Sequence, residues 1–218
     1  AVQFGQPVPE SERVTSAYFN DAVFIGDSLT TGIQLYNILP DTTVLAAVGV
    51  GLENIYTQEV IGTEDSKQTI LEAADAQQPA KIYVMLGVNE LGYYNDEGFY
   101  QAYCDAIDAI RACQPDAVIY IQGLIPLNES VVAASGGPSY LTNEHLRVYN
   151  GLMQKAAEEK QVVFLDLYSE FANENGELPE EASKDGVHLK SDYCKQWLEY
   201  LKVHTVDFET LYPEGTET

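Results

Sequence analysis

The chain has 218 residues, 45% hydrophobic and 21% charged with only 9 prolines, which is long enough to bury one core and is the composition of neither a disordered nor a fibrous protein. Its 34 acidic and 11 basic side chains give a formal charge of -23, a surface that repels phosphate backbones and anionic lipid and argues against nucleic acid and acidic membranes as partners. The acids are spread along the chain as on a solvated surface, so neutral substrates stay open, and no apolar run approaches the roughly 18 to 20 residues needed to cross a bilayer.

The chain opens on Ala1. Residues 1–20, including the polar stretch VQFGQPVPESERV, read as a linker before the first strand. They suit a protein displayed outside the cytoplasm after loss of an N-terminal signal or anchor, and a trimmed chain would begin the same way. Residues 21–206 are expected to form one domain and 207–218 an acidic C-terminal tail. Within the domain, AVFIG (22–26), TVLAAVG (43–49), KIYVMLG (81–87), AVIYIQGLI (117–125) and VVFLDLY (162–168) are short, continuous apolar runs. Such runs predict strands buried on both faces, hence a parallel sheet.

Between and after these strands, apolar residues recur at helical spacing. One stripe is Phe99, Tyr103, Ile107 and Ile110, a second Leu141, His145, Tyr149 and Leu152, and a third Tyr193, Trp197 and Leu201; all three read as core faces. Strands alternating with helices predict an α/β fold, a three-layer α/β/α sandwich around a flavodoxin-like five-stranded parallel sheet. Ligands of such sheets bind at the carboxyl ends of the strands. Cys104 and Cys113 fall on one predicted helix about 13 Å apart, too far for a disulfide. With Cys194 they form no C-x-x-C spacing, and small buried hydrophobes are expected.

Four blocks stand where strands end. The first is Gly26-Asp27-Ser28-Leu29, a hydroxyl at a strand-to-helix turn, where free N–H groups suit a nucleophile whose attack creates an oxyanion. Ser28 read alone also fits a helix cap, with Thr30 and Thr31 as competitors. The second block, AVGVGLEN (47–54), offers Gly49 and Gly51, and the third, MLGVNELGYY (85–94), offers Asn89; singly these fit tight packing and an Asx turn. The fourth, SKDGVHLK (183–190), places Asp185 and His188 three apart, so that the carboxylate can orient one imidazole nitrogen while the other meets Ser28. The chain has three histidines. His145 lies on an apolar stripe and His204 near the end of the last helix, which leaves His188 for the catalytic side. Asp27 is read as structural, holding loop amides.

The order GDSL, glycine, G-x-N, D-x-x-H resembles the SGNH or GDSL hydrolases, serine esterases and acylhydrolases of flavodoxin-like three-layer fold, from Phe24 to His188. The resemblance implies that Ser28 is the nucleophile, His188 the general base and then acid, and Asp185 the orienting carboxylate. It implies an oxyanion hole made of the Ser28 and Gly51 backbone N–H groups, with Gly49 the alternative to Gly51, and the Asn89 amide, and it requires no metal or organic cofactor. One departure is Glu90, where the family usually has Asp. A neutral ester substrate is expected, with small acyl groups, acetyl above all, on glycans. That expectation rests on Tyr93 and Tyr94 as sugar-stacking candidates, on a Gly-rich loop from Asn128 to Tyr140, and on the lack of a basic amphipathic helix. Lipase, thioesterase or O-acyltransferase activity is the alternative within the family. Outside it stand a flavin-phosphate site at SLTTG (28–32) and a non-enzymatic glycan-binding module. A P-loop and a dinucleotide fingerprint are rejected on spacing.

Overall fold

The computed structural model describes residues 1–92 and 95–213. Strand β1 (Ala22–Gly26) is buried along its whole length, as a central strand covered on both faces must be. It pairs in parallel with β2 (Thr43–Ala46) on one side and with β5 (Lys81–Met85) on the other. Strands β6 (Val118–Gln122) and β7 (Val163–Leu165) extend the sheet beyond β5, giving the order β2-β1-β5-β6-β7. The order reverses at β1, so a cleft opens where the loops after β1, β2 and β5 part.

Right-handed crossovers on the two sides of that reversal send helices to opposite faces of the sheet. On one face α3 (Ile70–Gln77) packs against α4 (Asp96–Cys113), and α4 against α6 (Asn143–Lys160). On the other, α8 (Ser191–Lys202) packs against α1 (Thr31–Leu35) and α7 (Leu167–Phe171). Among the described residues the remaining α-helices are α2 (Asn54–Thr57), α5 (Glu129–Ala134) and α9 (Phe208–Leu211).

Strand register builds the core. Phe24, Tyr83 and Tyr120 stand side by side on β1, β5 and β6, and their rings stack at centroid distances of 4.7 and 4.5 Å. Phe99, Tyr103, Ile107 and Ile110 of α4 are all buried, as their spacing predicts. In α6 the buried face runs through Leu146, Tyr149 and Met153. Leu141 precedes that helix because Thr142 caps it, its hydroxyl accepting the His145 N–H at 3.3 Å, which rotates the apolar face by one position and leaves His145 half-buried.

Four of the five predicted strands end before their apolar runs do, and in two of them the local reason is plain. The fifth stops at Leu165, because Asp166 caps α7 through Ser169 N–H at 3.1 Å. The second stops at Ala46 and turns through Gly49, whose φ is +79°. A small hairpin, β3 (Ile61–Thr63) with β4 (Ser66–Gln68), is mostly exposed and therefore carries no apolar pattern to read. Residues of the expected linker run along the domain: Val8 N–H donates to Phe164 O at 3.0 Å, Ser11 to Val203 at 2.7 Å and Val14 to Lys202 at 2.9 Å. Among the described residues no helix is long and apolar enough to cross a membrane.

Candidate active site

The turn after β1 is shaped by sterics. A Cβ on Gly26 would lie 2.0 Å from Thr30 Oγ1 and 2.9 Å from Met85 O, so only glycine lets the chain double back under the first helical turn. Asp27 then points inward, fully buried, and accepts the Leu29 N–H at 3.0 Å. Burial pushes its carboxyl up to about 7, and the nearby Glu90 carboxylate adds to the rise against the Leu29 hydrogen bond. Ser28, next in sequence, points the opposite way, into a cleft.

In that cleft Ser28 Oγ lies 2.7 Å from His188 Nε2, and His188 Nδ1 lies 2.7 Å from Asp185 Oδ2. The loop carrying Asp185 and His188 is tied at its base by the Ser183–Leu189 bridge and the Lys190 N–H to Ala182 O bond of 2.9 Å. Asp185 Oδ1 accepts three further hydrogen bonds, from Ser183 Oγ at 3.0 Å, Val187 N–H at 2.9 Å and His188 N–H at 2.8 Å. Burial would raise this carboxyl, but the two backbone N–H groups and the imidazole outweigh it and hold it at about 2. Asp185 is thus ionised, the proton it binds sits on Nδ1, and Nε2 is left to accept from the Ser28 hydroxyl.

Of the proposed oxyanion donors, Ser28 and Asn89 line one cleft, and Asn89 also lines the adjoining hollow that holds Gly51. Asn89 lines the Ser28 cleft and uses one Nδ2 hydrogen on Val50 O at 2.9 Å, leaving the second. The Ser28 N–H has no acceptor among the described residues. Gly51 lines an adjoining hollow, yet its N–H donates to Asn54 Oδ1 at 2.7 Å. Gly49 lines that same hollow. Glu90, one methylene longer than the family's Asp, reaches across to accept the Leu52 N–H at 2.6 Å and is itself raised, chiefly by burial. Tyr93 and Tyr94 lie outside the described residues.

Other histidines are accounted for elsewhere. His145 Nε2 meets Asp96 Oδ1 at 2.9 Å with its ring edge-on to Tyr149, and His204 donates to Tyr200 O at 2.7 Å at the end of α8. The three cysteines are free. Among the described residues no cluster of three His, Cys, Asp or Glu side chains is placed to hold a metal.

The cleft has a volume of about 330 Å³, walled by Val88, Val132, Pro138, Leu141 and Val187, with Ser135 and Tyr140 at its edge. Part of the expected Gly-rich loop is helical: Asn128 Oδ1 caps α5 by accepting the Val131 N–H at 3.1 Å. Three residues escaped the sequence reading. Ser183 braces Asp185, and its signal is a small hydroxyl two residues before a carboxylate; Asn54, three residues after Gly51, has the spacing of a capping box. Tyr140 borders both hollows and is the aromatic side chain at the mouth among the described residues.

No curated protein sequence matches the chain significantly. Among solved structures, similar folds include a protein of Streptococcus pneumonia provisionally named a platelet activating factor, with 21% identity, TM-score 0.64, and 90% of this chain and 89% of that one covered. A GDSL-like lipase from Bacteroides thetaiotaomicron has 14% identity, TM-score 0.60, and coverage of 83% and 85%. An acetyl esterase solved with acetate ion has 14% identity, TM-score 0.57, and coverage of 84% and 94%. The model of the GDSL-like lipase/acylhydrolase family matches residues 24–193, from β1 through the Asp185–His188 loop into α8. The chain belongs to the GDSL-like lipase/acylhydrolase family, a family of hydrolytic enzymes.

Proposed function

We propose that the protein is a serine esterase that removes short acyl groups, acetyl above all, from neutral carbohydrate. The observation that carries the reading is the continuous hydrogen-bonded run from Ser28 Oγ through the His188 ring to Asp185, with two contacts of 2.7 Å. It is the arrangement that turns a weak hydroxyl nucleophile into a strong one.

Ser28 Oγ attacks the ester carbonyl carbon as its proton passes to His188 Nε2. The resulting imidazolium is stabilised by the ionised Asp185. The oxyanion is received by the Ser28 N–H, the free Asn89 amide hydrogen and the Gly51 N–H. Collapse breaks the bond to the leaving alkoxide, which takes the proton from Nε2. Water, deprotonated by the same nitrogen, then cleaves the acyl-enzyme and returns the proton to Ser28.

The leaving alcohol must lie on the His188 side, where the cleft of about 330 Å³ offers Tyr140 and Pro138 against the apolar face of a sugar ring. The surface charge of -23 favours a neutral carbohydrate over an anionic lipid interface, and an acetyl esterase is among the similar folds. The test is hydrolysis of p-nitrophenyl esters from acetate to palmitate by the native chain and by Ser28→Ala, followed by acetate release from acetylated glycans. Acetate is expected to be cleaved well, palmitate poorly, and Ser28→Ala to be inactive. Equal rates for native and variant proteins would refute the reading.

A further inference from the structure

The Gly51 N–H carries one hydrogen, and that hydrogen is directed at Asn54 Oδ1, 2.7 Å away. An oxyanion served by the same N–H must lie about 2.7–3.1 Å from the same nitrogen along the same direction. With Gly51 as the backbone donor, Asn54 Oδ1 occupies the acceptor position that the oxyanion would take on this N–H. We propose that Asn54 is a positioning residue: it holds the Gly51 donor in the free enzyme and is displaced by the substrate's carbonyl oxygen. The inference rests on Gly51 being the backbone donor of the serine esterase proposed above.

The surroundings decide which partner moves. On one side of Gly51, Val50 O accepts from Asn89 Nδ2 at 2.9 Å, and on the other Leu52 N–H donates to the buried Glu90 Oε1 at 2.6 Å. A Cβ on Gly51 would lie 2.4 Å from Glu90 Oε1, so the same buried carboxylate that holds the Leu52 N–H also lies over this glycine. Asn54 is half-buried, and among the described residues this is its side chain's one hydrogen bond. It faces a hollow of about 370 Å³ shared with Gly49, Glu53 and Tyr140, into which the carboxamide can turn. Opening the oxyanion hole is then a side-chain rotation over a fixed backbone. The resting contact also has a physical reason: Gly51 is buried, and a buried N–H without an acceptor is unfavourable.

Displacement gives up about one neutral hydrogen bond, so its removal sets the expected effect. With p-nitrophenyl acetate, Asn54→Ala raises kcat/KM roughly 3- to 10-fold, the equivalent of one such bond. Asn54→Asp puts an anion on the Gly51 N–H, which binds it more strongly and repels the oxyanion. Its kcat falls about 10-fold or more at pH 8, and the ratio to native recovers as pH is lowered and the new carboxylate protonates. A helix-cap role alone makes the opposite prediction, since Asp caps as well as Asn and would keep native kcat.

Melting temperatures are recorded for both variants, and phosphorylation of Ser28 by diethyl p-nitrophenyl phosphate is followed by mass. Native-like kcat for Asn54→Asp at pH 8, or kcat/KM for a folded Asn54→Ala at or below native, overturns the proposal. If Asn54→Ala does not fold, Asn54→Asp, which keeps the acceptor, decides alone. Failure of the native chain to label at Ser28 overturns the esterase reading and this one together; labelling with the wrong order of variants overturns only the role of Asn54.

Discussion

Replacing Asp27 by Asn removes an ionisable group from the floor of the site while keeping the oxygen that accepts the Leu29 N–H. Asp27 is fully buried, and its second oxygen, Oδ2, has no hydrogen-bond partner among the described residues. Its carboxyl stands at about 7 in the folded protein against 3.8 for the free side chain. For an acid whose folded value is raised, the folded state binds more protons than the unfolded one between those two values, so stability falls as pH rises through that window.

The difference of about 3 pH units, at about 1.4 kcal/mol each, gives an upper figure of about 4 kcal/mol lost between pH 4 and pH 8. In a domain of this size that is on the order of 10 °C in melting temperature. Thermal melts of native protein and Asp27→Asn across pH 4 to 8.5 should show the variant gaining on the native protein as pH rises, with the gap levelling off above about pH 8. Curves that run parallel, or a native protein that gains on the variant with pH, would refute the reasoning. Either would mean that Asp27 is ionised in the fold and its charge is compensated.

Loss of the amide in Asn89→Ala should lower kcat about 100- to 1000-fold while the melting temperature moves little, because only the Val50 contact is lost from the free enzyme; steady-state kinetics and a thermal melt measure the two effects. Asp185→Asn leaves His188 Nδ1 facing a carboxamide that can pair with either imidazole tautomer, and a fall in kcat on the order of 10,000-fold is expected in ester hydrolysis. The same carboxylate, held at about 2, stabilises the fold above the ordinary carboxylate range and loses that contribution as pH falls toward 2. Acid titrations of native and Asp185→Asn protein should therefore diverge above pH 4 and converge near pH 2. Gly26→Ala drives a methyl group to 2.0 Å from Thr30 Oγ1, and the overpacking should destabilise the fold by about 3 kcal/mol or more, seen as a lowered melting temperature.

Much of this protein is written locally. Apolar runs such as AVFIG mark strands buried on both faces, since a residue's burial follows from its own side chain and its immediate neighbours. The Asp185-to-His188 pairing is equally legible, because a spacing of three within one loop fixes which groups can meet. The strand order could be anticipated from the alternation of strands and helices, as right-handed crossovers leave few choices. Only the tertiary structure brings Ser28, 160 positions away, to 2.7 Å from His188. Only there does Glu90 reach Leu52, Tyr140 come to border two hollows, and Asn54 take the Gly51 N–H. The hairpin Ile61–Gln68 was invisible because its residues are mostly exposed and carry no apolar period. Hydropathy and spacing encode what each segment must bury; the direction of an individual N–H or carboxamide depends on atoms contributed by distant segments, and only folding assembles them.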